Sequence, residues 1–243
     1  GVEMTNTEAK TQNQQILADI KGLDKIIQLR GNFNQQLGQL DSLGATPISP
    51  RDEAYARLAT RNREKIGNTY GTWTSAGLEY LKGHSQILRL QSRLLNQDLA
   101  KKAVEANTQG VYFGTNSERE YAESLKQVAK ELDKQPKDRT IIILPSREEF
   151  AISKNANWNV YETLFKDQAI PYFELNDSLQ FYLVNKGIVD SQDGTILTQL
   201  WFGGLGDGSG LGGFGGNLRL GGRLRGVLKS GEANTPEKVG AKK

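Results

Sequence analysis

The chain has 243 residues, with 31 lysines and arginines against 28 acids, a formal net charge of +3 and a mean hydropathy of -0.55. That balance carries no nucleic-acid or anionic-membrane signal by itself, and with 37% apolar residues only part of the chain is expected to bury a core. The absence of cysteine excludes disulfides, thiolate metal sites and cysteine nucleophiles. No apolar run approaches the roughly 18 residues that span a bilayer, and because the chain opens on Gly1, an upstream leader or anchor stays open.

Across residues 8–43, Ile16, Ile20, Leu23 and Ile27 recur at helical spacing, and Phe33, Leu37 and Leu40 continue one position out of phase. Gly22 and Gly31 weaken this helix by about 1 kcal/mol each. The stripe suits a helix packed on its own domain or one that meets a partner. The packed reading is favoured, since a coiled coil needs about three or four unbroken heptads. Residues 44–50 (GATPISP) read as a loop. A second helical zone carries Tyr55, Leu58 and Ile66, is interrupted across 67–77, and resumes over 78–106 with Leu81, Leu88, Leu95 and Leu99. The expected organisation is a helical extension at 1–50, a helical region at 51–109, an α/β core at 110–202 and a glycine-rich basic tail at 203–243.

Within the core, Val111, Tyr112 and Phe113 suggest a short strand, and Ser117 with Glu120 forms a capping-box signature for a helix bearing Tyr121, Leu125, Val128 and Leu132. Pro136 turns the chain into TIIIL at 140–144, a β-branched run expected to be covered on both faces and ended by Pro145. A helix with Trp158, Tyr161, Leu164 and Phe165 follows, then a strand at 170–175 (IPYFEL), then a helix capped by Asp177 and carrying Leu179, Tyr182 and Leu183. This alternation predicts an α/β fold: a short parallel sheet with flanking helices, preceded by a largely helical N-terminal region and followed by the glycine-rich tail. A last helix from Asn217 through Leu218, Leu220 and Leu224 is handicapped by Gly221 and Gly222.

Chemistry-bearing signals are sparse. Gly208, Gly210 and Gly213 satisfy G-x-G-x-x-G, but a dinucleotide fingerprint belongs between a first strand and its helix; here the match follows from glycine abundance. A single aspartate, Asp207, cannot make a calcium repeat. Arg219, Arg223 and Arg225 among glycines have the look of an RNA-binding segment, yet only Phe214 offers an aromatic, so a solvated basic tail is the expectation. His84, the sole histidine, reads as a surface or capping residue. Arg147, Glu148 and Glu149 follow a strand, where a substrate loop or a charged first helical turn are both open. Neither a metal nor a cofactor is expected.

Taken together, 140–150 (TIIILPSREEF) and 161–179 (YETLFKDQAIPYFELNDSL) resemble the later part of SGNH/GDSL-type acyl hydrolases. In that family a strand ending in a proline–serine–basic–acidic loop leads to a helix and a further strand. Residues 78–95 (LEYLKGHSQILRLQSRLL) are similar to a helix the family carries earlier, and 200–228 resembles its closing block. The resemblance implies a catalytic aspartate at Asp207 and substrate contacts at Ser146, Arg147 and Asn217. The family's histidine would fall on Ser209 or Gly210, neither of them a base, and no G-D-S block stands near the N-terminus; an activated serine needs an adjacent base. The resemblance therefore implies a non-catalytic or incomplete relative with a structural, assembly or carbohydrate/acyl-binding role, in an extracytoplasmic setting. The alternatives are an active ester hydrolase or acyltransferase seen as a fragment, and a helical scaffold subunit that meets a protein partner or a second copy through its N-terminal helices.

Overall fold

The computed structural model describes residues 14–20, 24–60, 71–106, 113–115, 118–146, 157–177, 179–204, 210–213, 218–219 and 222–228. The strands are β1 (Gln14–Ile20), β2 (Asp24–Gly31), β3 (Thr46–Pro47), β4 (Thr72–Tyr80), β5 (Ile87–Arg89), β6 (Phe113–Thr115), β7 (Ile141–Ile143), β8 (Gln180–Leu183), β9 (Thr195–Phe202), β10 (Gly210–Gly213) and β11 (Gly222–Leu228). The helices are α1 (Phe33–Ser42), α2 (Pro50–Ala59), α3 (Gln97–Ala106), α4 (Glu118–Glu131), α5 (Trp158–Phe165), α6 (Ala169–Leu175) and α7 (Lys186–Asp190).

All the described strands join one mixed sheet, ordered β1-β2-β11-β4-β9-β10-β8, with β5 and β7 continuing from β4, β6 from β9 and β3 from β11. The pairings are antiparallel except β10 with β8 and β11 with β4. The parallel α/β sheet expected from the sequence is thus replaced by a sheet dominated by antiparallel ladders. Residues 14–20 and 24–31, expected as helix, form the antiparallel strands β1 and β2, so the first part of the expected stripe is not a helix face, whereas Phe33, Leu37 and Leu40 lie on α1, buried. The segments read as the strand IPYFEL and the helix after Asp177 exchange roles: 169–175 is helical and 180–183 extended. Pro171 fits the first turn of α6, where no intrahelical amide is needed. Residues 72–80, read as a breaker and the start of a helix, are the central strand, and 222–228 is a strand where a handicapped helix was expected.

β4 is buried along its whole length and β9 nearly so, because helices cover both faces of the sheet. On one face Leu78, Tyr80, Leu200, Phe202 and Leu211 meet Tyr161, Leu164, Phe165 and Tyr172 of α5 and α6. On the other, Ile27, Leu29, Trp73, Leu197 and Leu224 meet Phe33, Leu37 and Leu40 of α1 and Ala100, Ala103 and Val104 of α3. Local chemistry starts these helices. Asn32 and Gln35 make a reciprocal capping box for α1, and the Ser49 hydroxyl caps α2 ahead of Pro50. The helix expected from Tyr121 to Val128 is present as α4, with both residues buried. Among the described residues β7 pairs with β5; Ile141 packs with Tyr121 and Val128 on one face and Ile142 packs on the other, as expected of a run covered on both faces, while Ile143 is exposed. No described helix is long and apolar enough to cross a membrane.

Candidate functional site

Of the residues the acyl-hydrolase resemblance singled out, Asp207, Arg147 and Asn217 lie outside the described residues, and Ser146 is placed just past β7, exposed. Ser146 borders a pocket of about 320 Å³ together with His84, Gln86, Lys186 and Asp190. The 81–86 turn between β4 and β5 brings His84 there, with Gly83 at φ 78° completing the turn. A serine, a histidine and an aspartate therefore share one pocket, but the contacts run elsewhere. Lys186 Nζ donates to Asp190 Oδ2 at 2.7 Å across one turn of α7. The His84 ring lies 5.3 Å from that of Tyr121, and Tyr121 Oη donates to the Ser85 carbonyl. Burial, reinforced by Glu79 and Tyr80, pushes the Tyr121 hydroxyl well above the ordinary tyrosine value. Among the described residues, no group of three or more histidine, aspartate or glutamate side chains is placed to hold a metal ion.

A second pocket, of about 350 Å³, is lined by Arg30, Trp201, Gly222 and Arg223. The antiparallel register of β2 and β11 sets Arg223 opposite Arg30, which puts both side chains on one face of the sheet. Trp201 comes from the end of β9, where it pairs with Trp73 of β4. The Trp201 ring packs edge-on against Trp73 at 5.7 Å, and Trp73 packs edge-on against Phe33 at 5.4 Å. Glycines make room for this aromatic row: a Cβ on Gly222 would lie 2.3 Å from Trp73 Cη2, and one on Gly71 would lie 2.4 Å from Trp201 Nε1. Trp201 and Arg223 are half-buried and Arg30 is exposed. Trp201 and Trp73 thus stand on the face that α1 and α3 cover, and the Arg30 and Arg223 side chains start from the opposite face near the same end of the strands.

Next to this pocket lies a buried ionic cluster. Arg225, two residues along β11 from Arg223 and on the same face, is 1% exposed, and Glu53 and Arg57 of α2 are fully buried. Glu53 Oε1 accepts from Arg57 Nε at 2.9 Å and from Arg225 Nη1. Arg57 also donates to the Phe202 carbonyl and to Tyr172 Oη, each at 3.1 Å, and lies 3.9 Å from the Phe202 ring centroid. Burial lowers the Arg225 pKa against the opposing pull of Glu53. For Arg57, burial also works against the charge, but Glu53 and Tyr172 outweigh it and the pKa rises. Two guanidiniums share one carboxylate here.

Sequence reasoning missed this second pocket because Arg219, Arg223 and Arg225 were read as a solvated tail. The alternation in GRLRGVL, polar at 223 and 225 and apolar at 224 and 228, was the available signal for a strand.

No family model matches the chain and no curated relative does. Among solved structures, one described as accommodation of massive sequence variation in Nanoarchaeota by the C-type lectin fold aligns with a TM-score of 0.60 at 12% identity, over 83% of this chain and 96% of that one. The fold is that of the C-type lectins. This overturns the resemblance to SGNH/GDSL-type acyl hydrolases and with it the α/β parallel-sheet class. In the C-type lectin fold seen here, Ile141–Ile143 is a strand paired antiparallel and Ala169–Leu175 is a helix, so the two strands on which the hydrolase resemblance was built do not form a parallel core.

Proposed function

We propose that this C-type lectin-fold chain is a binding module that recognises a saccharide in the pocket of Arg30, Trp201 and Arg223. The observation that carries the reading is the concavity of about 350 Å³ bordered by the half-buried Trp201 together with Arg30, Gly222 and Arg223. That volume lies within the roughly 300–1,000 Å³ of small-molecule sites, which combine apolar walls with a few placed polar groups. A sugar ring offers both an apolar C–H face, suited to an aromatic body, and hydroxyl oxygens, suited to the donors of an arginine fork. The braced tryptophan row supports the reading further, since a preorganised wall lowers the ordering cost of binding.

The test is a glycan-array screen followed by titration of the best saccharide, read by calorimetry and tryptophan fluorescence. Trp201→Phe keeps an aromatic of lower polarisability, and Trp201→Ala removes it; the expected losses are several-fold and about tenfold or more respectively, the latter corresponding to ~1.4 kcal/mol. Circular dichroism of each variant separates lost binding from lost folding. Failure of every saccharide to bind, or wild-type affinity in a folded Trp201→Ala protein, overturns the proposal.

A further inference from the structure

Resting on the saccharide reading above, we infer that Arg57 is the positioning residue of the pocket's aromatic wall: from the opposite face of the sheet it grips the two peptide carbonyls that follow Trp201, and so sets where the indole stands. Phe202 is the last residue of β9, paired with Thr72 on one side and Leu211 on the other. Beyond it, Gly203 N donates to the Gly210 carbonyl at 2.8 Å. Arg57 holds this strand end from α2. Its Nη2 donates to the Phe202 carbonyl at 3.1 Å and its Nη1 to the Gly203 carbonyl, with the guanidinium carbon 3.9 Å from the Phe202 ring centroid. The guanidinium is itself immobilised: the side chain is fully buried, Nε donates to Glu53 Oε1 at 2.9 Å and Nη1 to Tyr172 Oη at 3.1 Å. A planar fork with donors in fixed directions holds two carbonyls at once, a geometry a single ammonium group does not reproduce. The strand end has little slack against β4, since a Cβ on Gly71 would lie 2.5 Å from Trp201 Cε2 and 2.6 Å from the Phe202 carbonyl oxygen. Displacing the Phe202 and Gly203 peptides therefore displaces Trp201. A contact residue held in place by a locked neighbour spares the ligand the cost of ordering it.

The test uses the whole chain labelled with fluorotryptophan, the Trp201 fluorine resonance being the one that Trp201→Phe removes. Arg57→Lys keeps the charge beside Glu53 but not the fork. Without ligand it is expected to shift the Trp201 resonance and to leave that of Trp158, in α5, in place; a general loosening of the fold would broaden all of them. Against the best saccharide of the glycan screen, the folded variant is expected to lose about tenfold in affinity, the lower end of the loss seen when a residue that only orients a ligating neighbour is removed from a metal site. Tyr172→Phe takes one acceptor from Arg57 and leaves both carbonyl bonds, so neither readout is expected to change. A folded Arg57→Lys protein with the wild-type Trp201 resonance and wild-type affinity overturns the positioning role and leaves the saccharide reading standing. A shifted Trp201 resonance, in a protein whose wild-type form binds no saccharide, overturns the saccharide reading and leaves Arg57 as the residue that places Trp201. Should Arg57→Lys not fold, the guanidinium nitrogen resonances of Arg57 are followed in the wild-type protein through the same titration. They are expected to move as the site saturates, because the carbonyls they hold adjoin Trp201, and resonances that stay fixed overturn the inference.

Discussion

Replacing Glu53 by glutamine removes the only carboxylate among the described residues of the buried cluster while changing its shape little. Arg57 would keep the Phe202 carbonyl at 3.1 Å, Tyr172 Oη at 3.1 Å and the Phe202 ring at 3.9 Å. Arg225, 1% exposed, would keep Gln28 Oε1 at 3.4 Å but lose its ion pair. In addition, Glu53 Oε2 has no hydrogen-bond partner, so an amide nitrogen placed there would be a buried donor without an acceptor. Stranding a buried charge by deleting its partner costs about 3–5 kcal/mol. With an m-value of about 3 kcal/mol per molar in urea, the unfolding midpoint should fall by roughly 1–1.7 M. Because Arg225 loses more than Arg57, the double variant Glu53→Gln/Arg225→Met should recover a substantial part of the loss, as an apolar residue can replace a stranded ion. Equilibrium urea unfolding followed by circular dichroism measures both. A Glu53→Gln midpoint within about 0.3 M of wild type, corresponding to ~1 kcal/mol at that slope, would refute the reasoning.

Two further outcomes are expected. Arg51 grips Asp167 through two hydrogen bonds of 2.9 Å, and that contact lowers the Asp167 carboxyl from 3.8 to about 2. Since the folded value lies below the unfolded one, the contribution is complete above about pH 4 and is lost as pH falls through 2. The aspartate side chain is 64% exposed, so the stability gap between wild type and Asp167→Asn should be about 1 kcal/mol or less near neutrality. Thermal melts should show it shrinking several-fold by pH 2, and a gap that persists there is incompatible with this account. Gly222→Ala should destabilise by about 1–3 kcal/mol through overpacking, because its methyl group would fall 2.3 Å from Trp73 Cη2. Near-UV circular dichroism should report the displaced indole, whereas an unchanged spectrum and melting temperature would contradict the packing described.

Helices with one apolar face against a single layer were legible in the sequence. Tyr121 and Val128 in α4, and Tyr161, Leu164 and Phe165 in α5, fall at helical spacing because each helix buries one stripe. Sheet strands covered on both faces lose the period of two that would identify them. In β2, Ile26 packs on one side while Ile27 and Leu29 pack on the other, with Gln28 buried between them; that run, joined to Ile16 and Ile20, imitates helical spacing. α6 was misread because Ile170, Tyr172 and Phe173 favour strands, yet Tyr172 and Phe173 pack with Phe165 on one helical side. The candidate site was illegible for a different reason. Arg30 and Arg223 meet only through a pairing between distant segments, and nothing local to either residue announces the other.

β11 lies between β2 and β4, so the ladder joining the N-terminal hairpin to the remainder of the sheet runs through residues 222–228. Partners such as Gln28 and Arg225 are 197 positions apart in the chain. During synthesis, therefore, β2 emerges early and its outer edge waits for almost the whole polypeptide before its neighbour arrives. Contacts of such high sequence separation make folding slow, and an unpaired strand edge invites association with other chains in the interval. Completion of the sheet is a late event that a growing chain halted before residue 222 cannot reach.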